Sequence, residues 1–552
     1  MTISAIFRFV FICIEVLLLF NLLIFVHELG HFLAARWRGL HVVEFALWFG
    51  KPLWRRKIGG VWYAINSIPA GGYVKLPQMA PMDSLEGESE DLPPEAKLPV
   101  KPFDKIIVAF AGPLFSFLLA CFFAVIVWQV GRPVRESEST TRIGYVQRGS
   151  PADKAGLRAG DVIKAIDGKP IRRWQGMSED SVLWRVVTSE GGMIRIEYER
   201  DGKLATADAK PEVPVTKVYQ RRAMRQIGIA PAEAPLIEAV KAGEAGAEAG
   251  LRRGDVILSA NGERVHLFET IADVARANPD APLMLTVERD GQRVELTKPL
   301  QLTPPSVEQA FEGSPAVRAG MQKDDRVLRV GGEPVFNSLH IIDLVDVNGA
   351  KPIVLDLDRA GTPVSVTVTP EPPVGETRAK MGLQFREDTL GLTLSAKSLL
   401  IHPSPVEQVR LSALSIVNTL GAITSSKSDI SAQHLGGPVT IFRTYYLLFE
   451  NVDGWRLALW FSVLLNVNLA LLNLLPLPVL DGGHITLAIF EMIRRRPIQG
   501  TIETRILEWV QTLAAVVLIG FMLFITFFDV QDLFGSRARA PGMKFAPKSE
   551  AK

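Results

Sequence analysis

Four stretches of this 552-residue chain, roughly 5–26, 105–130, 457–475 and 509–528, are long and apolar enough to cross a bilayer, for which about 20 residues are needed. In hydrocarbon each backbone N–H and C=O must be bonded within its own segment, so such stretches have to be helices. The alternative is that some are core helices of a soluble protein. The first stretch lacks a small-residue cleavage site and runs straight into polar residues, unlike a removable signal peptide. The sequence therefore predicts a multi-pass α-helical membrane protein with about four spans.

Basic residues in the short loops set the orientation. Arg36, Arg38, Lys51, Arg55, Arg56 and Lys57 follow the first stretch, and Arg494, Arg495 and Arg496 precede the fourth. Both loops are expected in the cytoplasm, which puts both termini and the long 131–454 segment on the other side. The tail "SRARAPGMKFAPK" is also basic and pulls the other way, but the two loops agree with an even number of spans. Lys+Arg (61) nearly equals Asp+Glu (59), for a net charge of +2. With no basic stripe, this argues against a nucleic-acid partner. The only cysteines, Cys13 and Cys121, lie in predicted spans, so the large part outside the membrane must be stabilised by packed cores rather than disulfides.

At the end of the first apolar run stands "FVHELGHFLAAR" (25–36). Burying His27, Glu28 and His31 without partners costs roughly 2–7 kcal/mol per group, and a metal ion is the first candidate partner. His27 and His31 are i and i+4, which puts both imidazoles on one helix face at a spacing suited to one Zn²⁺. Glu28 can reach the open coordination position as a general base. The other possibility is a coincidental pair of helix histidines. A catalytic zinc usually has a third protein ligand, and "NVNLALLNLLPLPVLDGGH" (466–484) offers Asp481, its only acidic residue. Pro476 and Pro478 break that helix, and Gly482–Gly483 permit a tight turn. His484 is a rival ligand, and a plain turn role for Asp481 is the bland alternative; an intramembrane acid is by default a functional candidate.

Between the second and third spans a pattern recurs three times: "GSPADKAGLRAGDVIKAIDGKPI" (149–171), "GEAGAEAGLRRGDVILSANGERV" (243–265) and "GSPAVRAGMQKDDRVLRVGGEPV" (313–335). This is the spacing of repeated domains. Each copy predicts a short helix closing at Gly, a turn, a strand, and a hairpin turn at "DG", "NG" or "GG". The pattern resembles the PDZ domain of bacterial envelope proteases, which binds peptides by strand addition; spacers or size filters without a ligand are the alternative. The third copy has Asp324 where the others have Gly160 and Gly254.

HExxH at the end of a first span, PDZ-like copies after a second and NxxPxPxLDG on a third together resemble the site-2 protease family of intramembrane zinc metalloproteases. The likeness covers nearly the whole chain, although members of this type usually carry two PDZ domains. It implies Zn²⁺ held by His27, His31 and Asp481, Glu28 as catalytic base, and Asn473 and Asn468 as substrate-binding residues. "GKPLWRRKIGGVWYAINSIPAGGYVKL" (50–76) resembles the family's re-entrant β-hairpin. "AFAGPLFSF" (109–117) resembles its second-span AGP motif, with Ser116 where an Asn commonly follows. The resemblance also implies a pre-cleaved single-span protein or signal peptide as the membrane-embedded substrate, C-terminal peptides at the PDZ copies, and a bacterial inner-membrane location with those copies in the periplasm. An idle scaffold and a metal transporter are the competing classes.

The resulting division is a first half of the membrane core (1–130), PDZ-like domains at 136–221, 222–303 and 304–387, a linker with an amphipathic helix (388–454), a second half of the core (455–535) and a basic tail (536–552). Segment 405–425 has apolar residues at helical spacing, fitting either a surface-lying helix or a packed one. Arg8, Glu15 and Asn21 in the first span need partners; Glu15 is expected to pack or gate rather than ligate. His41, His266, His340, His402 and His434 have no ligand spacing.

Overall fold

The computed structural model describes residues 3–79, 100–214, 216, 220–374, 378–386, 390–425, 428–451, 453–496, 501–537 and 545. It divides into two compact units. The first holds Met1–Pro133, Leu400–Leu420 and Leu435–Val530; the second holds Val134–Leu399, Gly421–His434 and Gln531–Lys552. Most of the basic tail lies outside the described residues.

Among the described residues, four helices are long and apolar enough to span a membrane: Ser4–Trp37, Pro102–Val130, Gly454–Asn473 and Arg505–Leu533. The first runs without a break through the His/Glu motif to Trp37. Leu23, Ala120, Phe123, Ala124, Val463 and Val467 form a core where the first three meet. Large apolar side chains such as Phe7, Leu18, Phe122, Trp509 and Leu513 remain exposed on the outer faces, the surface that lipid would cover. Arg8 donates to the carbonyl of Glu450, and Trp48 donates its indole N–H to Asn21.

Segment 405–425 forms the helix Pro405–Thr424. It packs rather than floats, for Val409 and Ala413 join the three-helix core and buried Gln408 donates to the carbonyl of Ala124. The helix Pro438–Phe449 falls within the segment expected to be linker, and its buried Tyr445 bonds Ser462 of the third span at 2.8 Å. Its first turn is held by Asp529 of the fourth span, which accepts from the Thr440 N–H and hydroxyl.

Segment 44–75 is a bent hairpin that makes a four-strand sheet. Glu44 lies opposite both Trp62 and Lys75, while Trp54–Ile58 pairs with Val61–Ile65 on the far side. The spatial order is therefore 52–58, 61–66, 44–49, 68–75. Among the described residues, 68–74 form an outer edge of this sheet and 61–66 are internal. Trp48 takes a left-handed backbone at the bend (φ +71°), and Asn66 donates to its carbonyl.

In the second unit each repeat folds around its own apolar core. Four-strand arrangements run 169–170, 162–166, 194–200, 203–209 in the first and 333–334, 326–330, 353–359, 362–368 in the third. The second has the same four at 263–264, 256–260, 285–289 and 292–295, extended by Pro235–Val240 and Leu392–Ala396. That last strand comes from the segment expected to be linker. The third repeat, whose outer pair is Val307–Ala310 with Leu383–Phe385, is thus inserted within the second. Likewise Ile229–Pro231 pairs back with Ile143–Val146, so the first repeat extends beyond residue 221.

The same buried ion pair recurs in all three. Arg200, Arg289 and Arg359 each grip one aspartate through two nitrogens at 2.7–2.8 Å (Asp161, Asp255, Asp325) and also donate to the carbonyl of Gly156, Gly250 or Gly320. Each aspartate is at most 1% exposed and accepts the N–H three residues before it. Asp324 adopts the left-handed turn of Gly160 and Gly254 (φ +67° against +96° and +91°), so the third repeat keeps the backbone at a steric cost of about 1 kcal/mol.

Arg289→Ala strands a buried carboxylate and is expected to cost about 3–5 kcal/mol, read as a lower melting temperature of the full chain in detergent; Arg293→Ala, on the surface of the same hairpin, serves as the neutral control. A second expectation concerns pH. Burial, with Arg142 and Arg264 nearby, pushes the His266 imidazole down to about 4. The unfolded chain therefore takes up a proton near 6.5 that the folded chain refuses. Stability from this group is present above that pH and is lost as pH falls from about 6.5 toward 4. His266→Gln should flatten the melting-temperature profile over that interval.

Candidate metal centre

On the unbroken first helix, i and i+4 spacing points the His27 and His31 rings the same way, with centroids 4.9 Å apart. Both rings are oriented from the second span. His31 Nδ1 lies 2.8 Å from the carbonyl of Val108, and His27 Nδ1 lies 3.0 Å from Ser116 Oγ. A carbonyl can only accept, so His31 Nδ1 carries a proton and, in the neutral ring, Nε2 presents a lone pair. The two Nε2 atoms face each other at 3.3 Å.

Into the same space comes Asp481. The third span ends at Asn473, a turn follows, and a new helix begins at Asp481 and runs to Arg494. Leu474, Leu475 and Leu477 carbonyls approach so closely that a Cβ on Gly482 or Gly483 would sit 2.2–2.3 Å from them. The carboxylate reaches His27 Nε2 with Oδ2 and His31 Nε2 with Oδ1, each at 3.3 Å. Asp481 Oδ2 is buried and makes no hydrogen bond.

These observations test whether a metal fits. Two imidazole lone pairs and a carboxylate converge, all electron-rich, in a setting with little water. A proton on one Nε2 satisfies one contact; a cation at the centre satisfies all three. Ligands 2.0–2.1 Å from a tetrahedral zinc lie about 3.3–3.4 Å from one another, which matches the separations found. A Cβ on Gly112 would sit 2.1 Å from His31 Nε2, so the second span has no side chain where one would close the cradle. The donor set of two nitrogens and one carboxylate suits zinc.

His27, His31 and Asp481 form the one such group among the described residues, and neither Glu15 nor His484 belongs to it. His484 lines the adjoining cleft of about 260 Å³, as do Glu28, Asn473 and the edge residues Gly72, Tyr73 and Val74. Glu28 lies beneath that edge, its Cγ 3.0 Å from where a Gly72 Cβ would stand. Asn473 places its amide nitrogen 3.4 Å from His27 Nε2. Asn468 does not line the cleft; five residues back on the helix, it is turned away by about 140°, and its buried Oδ1 has no hydrogen-bond partner.

Sequence inspection missed the supporting contacts. Val108, Gly112 and Ser116 are spaced i, i+4, i+8, a single stripe on the second span, and this periodicity was the available signal. Lys105, one turn earlier, bonds both oxygens of buried Glu491 at 2.9 and 3.1 Å, tying the second span to the helix that carries Asp481.

Gly112→Ala should abolish one-to-one zinc binding by the purified chain, because its methyl enters the cradle. Ser116→Ala should leave zinc bound but weaken it about 10–100-fold, measured by competition with a chelator.

Comparison with known proteins gives the family. Residues 15–519 match Peptidase family M50. The chain is 27% identical to the regulator of sigma-E protease RseP of Escherichia coli over 521 residues, covering 92% of this chain and 96% of that one. A Vibrio cholerae protein named as a zinc metalloprotease is 28% identical over 509 residues, with 88% and 91% covered. The regulator of sigma E protease of Salmonella typhi is 27% identical over 496 residues, again with 88% and 91% covered. The chain belongs to peptidase family M50, the site-2 proteases, and is a membrane-embedded zinc metalloprotease.

Proposed function

We propose that the chain is an intramembrane endopeptidase that cuts the membrane-spanning segments of single-span proteins already shortened by another protease. An anti-sigma factor and remnant signal peptides both fit this description. The observation that carries the proposal is the strand 68–74, outermost in its sheet among the described residues, above Glu28 and with the candidate ligands in the same cleft. A substrate helix in lipid bonds its own backbone, and once unwound its N–H and C=O groups need partners. The edge strand supplies them by strand addition, and Asn473 offers its amide to a further backbone group.

His27, His31 and Asp481 would hold the zinc, which when bound supplies Lewis-acid activation of water and of the scissile carbonyl. Glu28 takes the proton from the attacking water and passes it to the leaving amine. The Val108 carbonyl keeps His31 in the tautomer that ligates, and Ser116, bonded to His27 Nδ1, fixes the orientation of that ring. Apolar helices around the cleft limit competing water.

On this proposal the chain sits in the bacterial inner membrane with the cleft toward the cytoplasm. The repeats are PDZ modules in the periplasm that gate access by binding new C-termini or by excluding uncut proteins. Their support is the strand-and-glycine framework common to the three.

Purified protein in detergent should cut a model single-span substrate within its span, and a zinc chelator should stop it. Glu28→Gln should lower the rate by at least about 10²–10⁴-fold while zinc stays bound one to one. A fully active Glu28→Gln chain would remove Glu28 from the mechanism. Zinc binding without cleavage of any spanning substrate would favour the scaffold or transporter instead.

A further inference from the structure

One loop recurs in the three repeats. Gly228, Gly391 and Gly382 have left-handed backbones (φ +77°, +64° and +79°) and follow the buried residues Ile227, Leu390 and Met381. The glycine carbonyls accept from the N–H groups of Gln147, Lys241 and Phe311, and the preceding carbonyls accept from Ala152, Gly246 and Ala316. A short strand follows each glycine and lies at an edge: Ile229–Pro231 and Leu383–Phe385 each have a single partner strand, and Leu392–Ala396 ends its sheet. Glycine loop and free strand edge are the parts of a strand-adding peptide site.

The surroundings of the three glycines differ. Where a Cβ would stand on Gly228, the nearest atoms belong to Ser150 and Gln147; on Gly391, to Glu244 and Lys241. On Gly382 they belong to Ser314 and to the ring of Phe545, whose Cε2 and Cζ lie 2.7 and 3.0 Å from that point. Phe545 is only 8% exposed. It is the one aromatic residue in the tail "SRARAPGMKFAPKSEAK", which holds five basic residues and one acidic residue. Exposed Glu308 lies on the strand Val307–Ala310 and exposed Glu312 follows Phe311, while Arg318 and Lys380 stand as near to Ser314 and Gly382 in sequence, so the contact of Phe545 and not local charge carries the assignment.

We propose that the third repeat takes the chain's own C-terminal segment as its ligand, with Phe545 as the anchor over Gly382 and Ser314. The even number of spans puts tail and repeats on one side of the membrane, as this contact requires. Tethering raises the effective concentration of the segment to about the millimolar range, so a weak anchor is enough to keep the site filled. The first two repeats stay open to outside peptides, and the third opens when its own segment is displaced. The proposal rests on the repeats as strand-adding modules and not on the metal chemistry.

The test uses the full chain with benzoyl-phenylalanine in place of Phe545, irradiated in membranes and mapped by mass spectrometry. Adducts are expected within 306–321 and 379–386 of the same chain. In parallel, a labelled peptide of residues 540–552 is titrated into wild type and Phe545→Ala. The variant, its site vacated, should bind the peptide at least about tenfold more tightly. Adducts on the first two repeats, on the membrane helices or on other proteins overturn the proposal. Equal peptide binding by the two chains also overturns it. Cleavage activity enters neither readout, so failure here is distinguishable from failure of the protease reaction.

Discussion

Two imidazole nitrogens and a carboxylate meet 3.3 Å apart among apolar helices. Left to themselves these groups repel and would each rather be in water. A proton on one ring relieves one contact, whereas a shared cation, as proposed, makes all three favourable at once. The first helix continues unbroken through both histidines, so their spacing is fixed by helical geometry. Gly30 lets the second span come close, since a Cβ there would lie 2.4 Å from the Ala111 carbonyl. Gly112 then leaves room for the ion. The buried Lys105–Glu491 pair holds the helix that supplies Asp481; breaking such a pair costs about 3–5 kcal/mol, enough to matter for a carboxylate that must be placed within a few tenths of an ångström.

The same need for partners governs the proposed substrate. A spanning helix can be cut only after part of it is unwound, and its freed backbone groups are as costly in lipid as bare histidines. On the proposed function, the strand edge beside Glu28 would offer those groups partners where the bond is cut. The left-handed turn at Trp48, held by Asn21 and Asn66, bends the hairpin so that residues 68–74, and not 61–66, provide that edge.

What was legible in the sequence follows from how local each signal is. His27, Glu28 and His31 lie within one helical turn, and Asp481 is the only acid in its segment, so both could be picked out without knowing the fold. The three repeats were legible because each copies one hairpin with its glycines. Ser116 and Gly112 act on residues some 80–90 positions away, and nothing in their own neighbourhood says what they face. Asn468 and Asn473 look alike in sequence, and only the rotation of the helix separates the one at the cleft from the one turned away. The strand Leu392–Ala396 was read as linker because its partner, Pro235–Val240, lies on the far side of an entire inserted repeat.

That insertion has a mechanical consequence. The three repeats share the same buried Asp–Arg pair but differ in the edge strands that complete them. The strand at the third repeat's glycine loop ends at Phe385, and the edge strand of the second repeat begins at Leu392, only a short stretch of chain later. The carbonyls of Gly382 and Gly391 anchor neighbouring turns of that one stretch to two different bodies. Tandem modules would be joined by a single linker; a nested module is joined to the surrounding sheet at both ends.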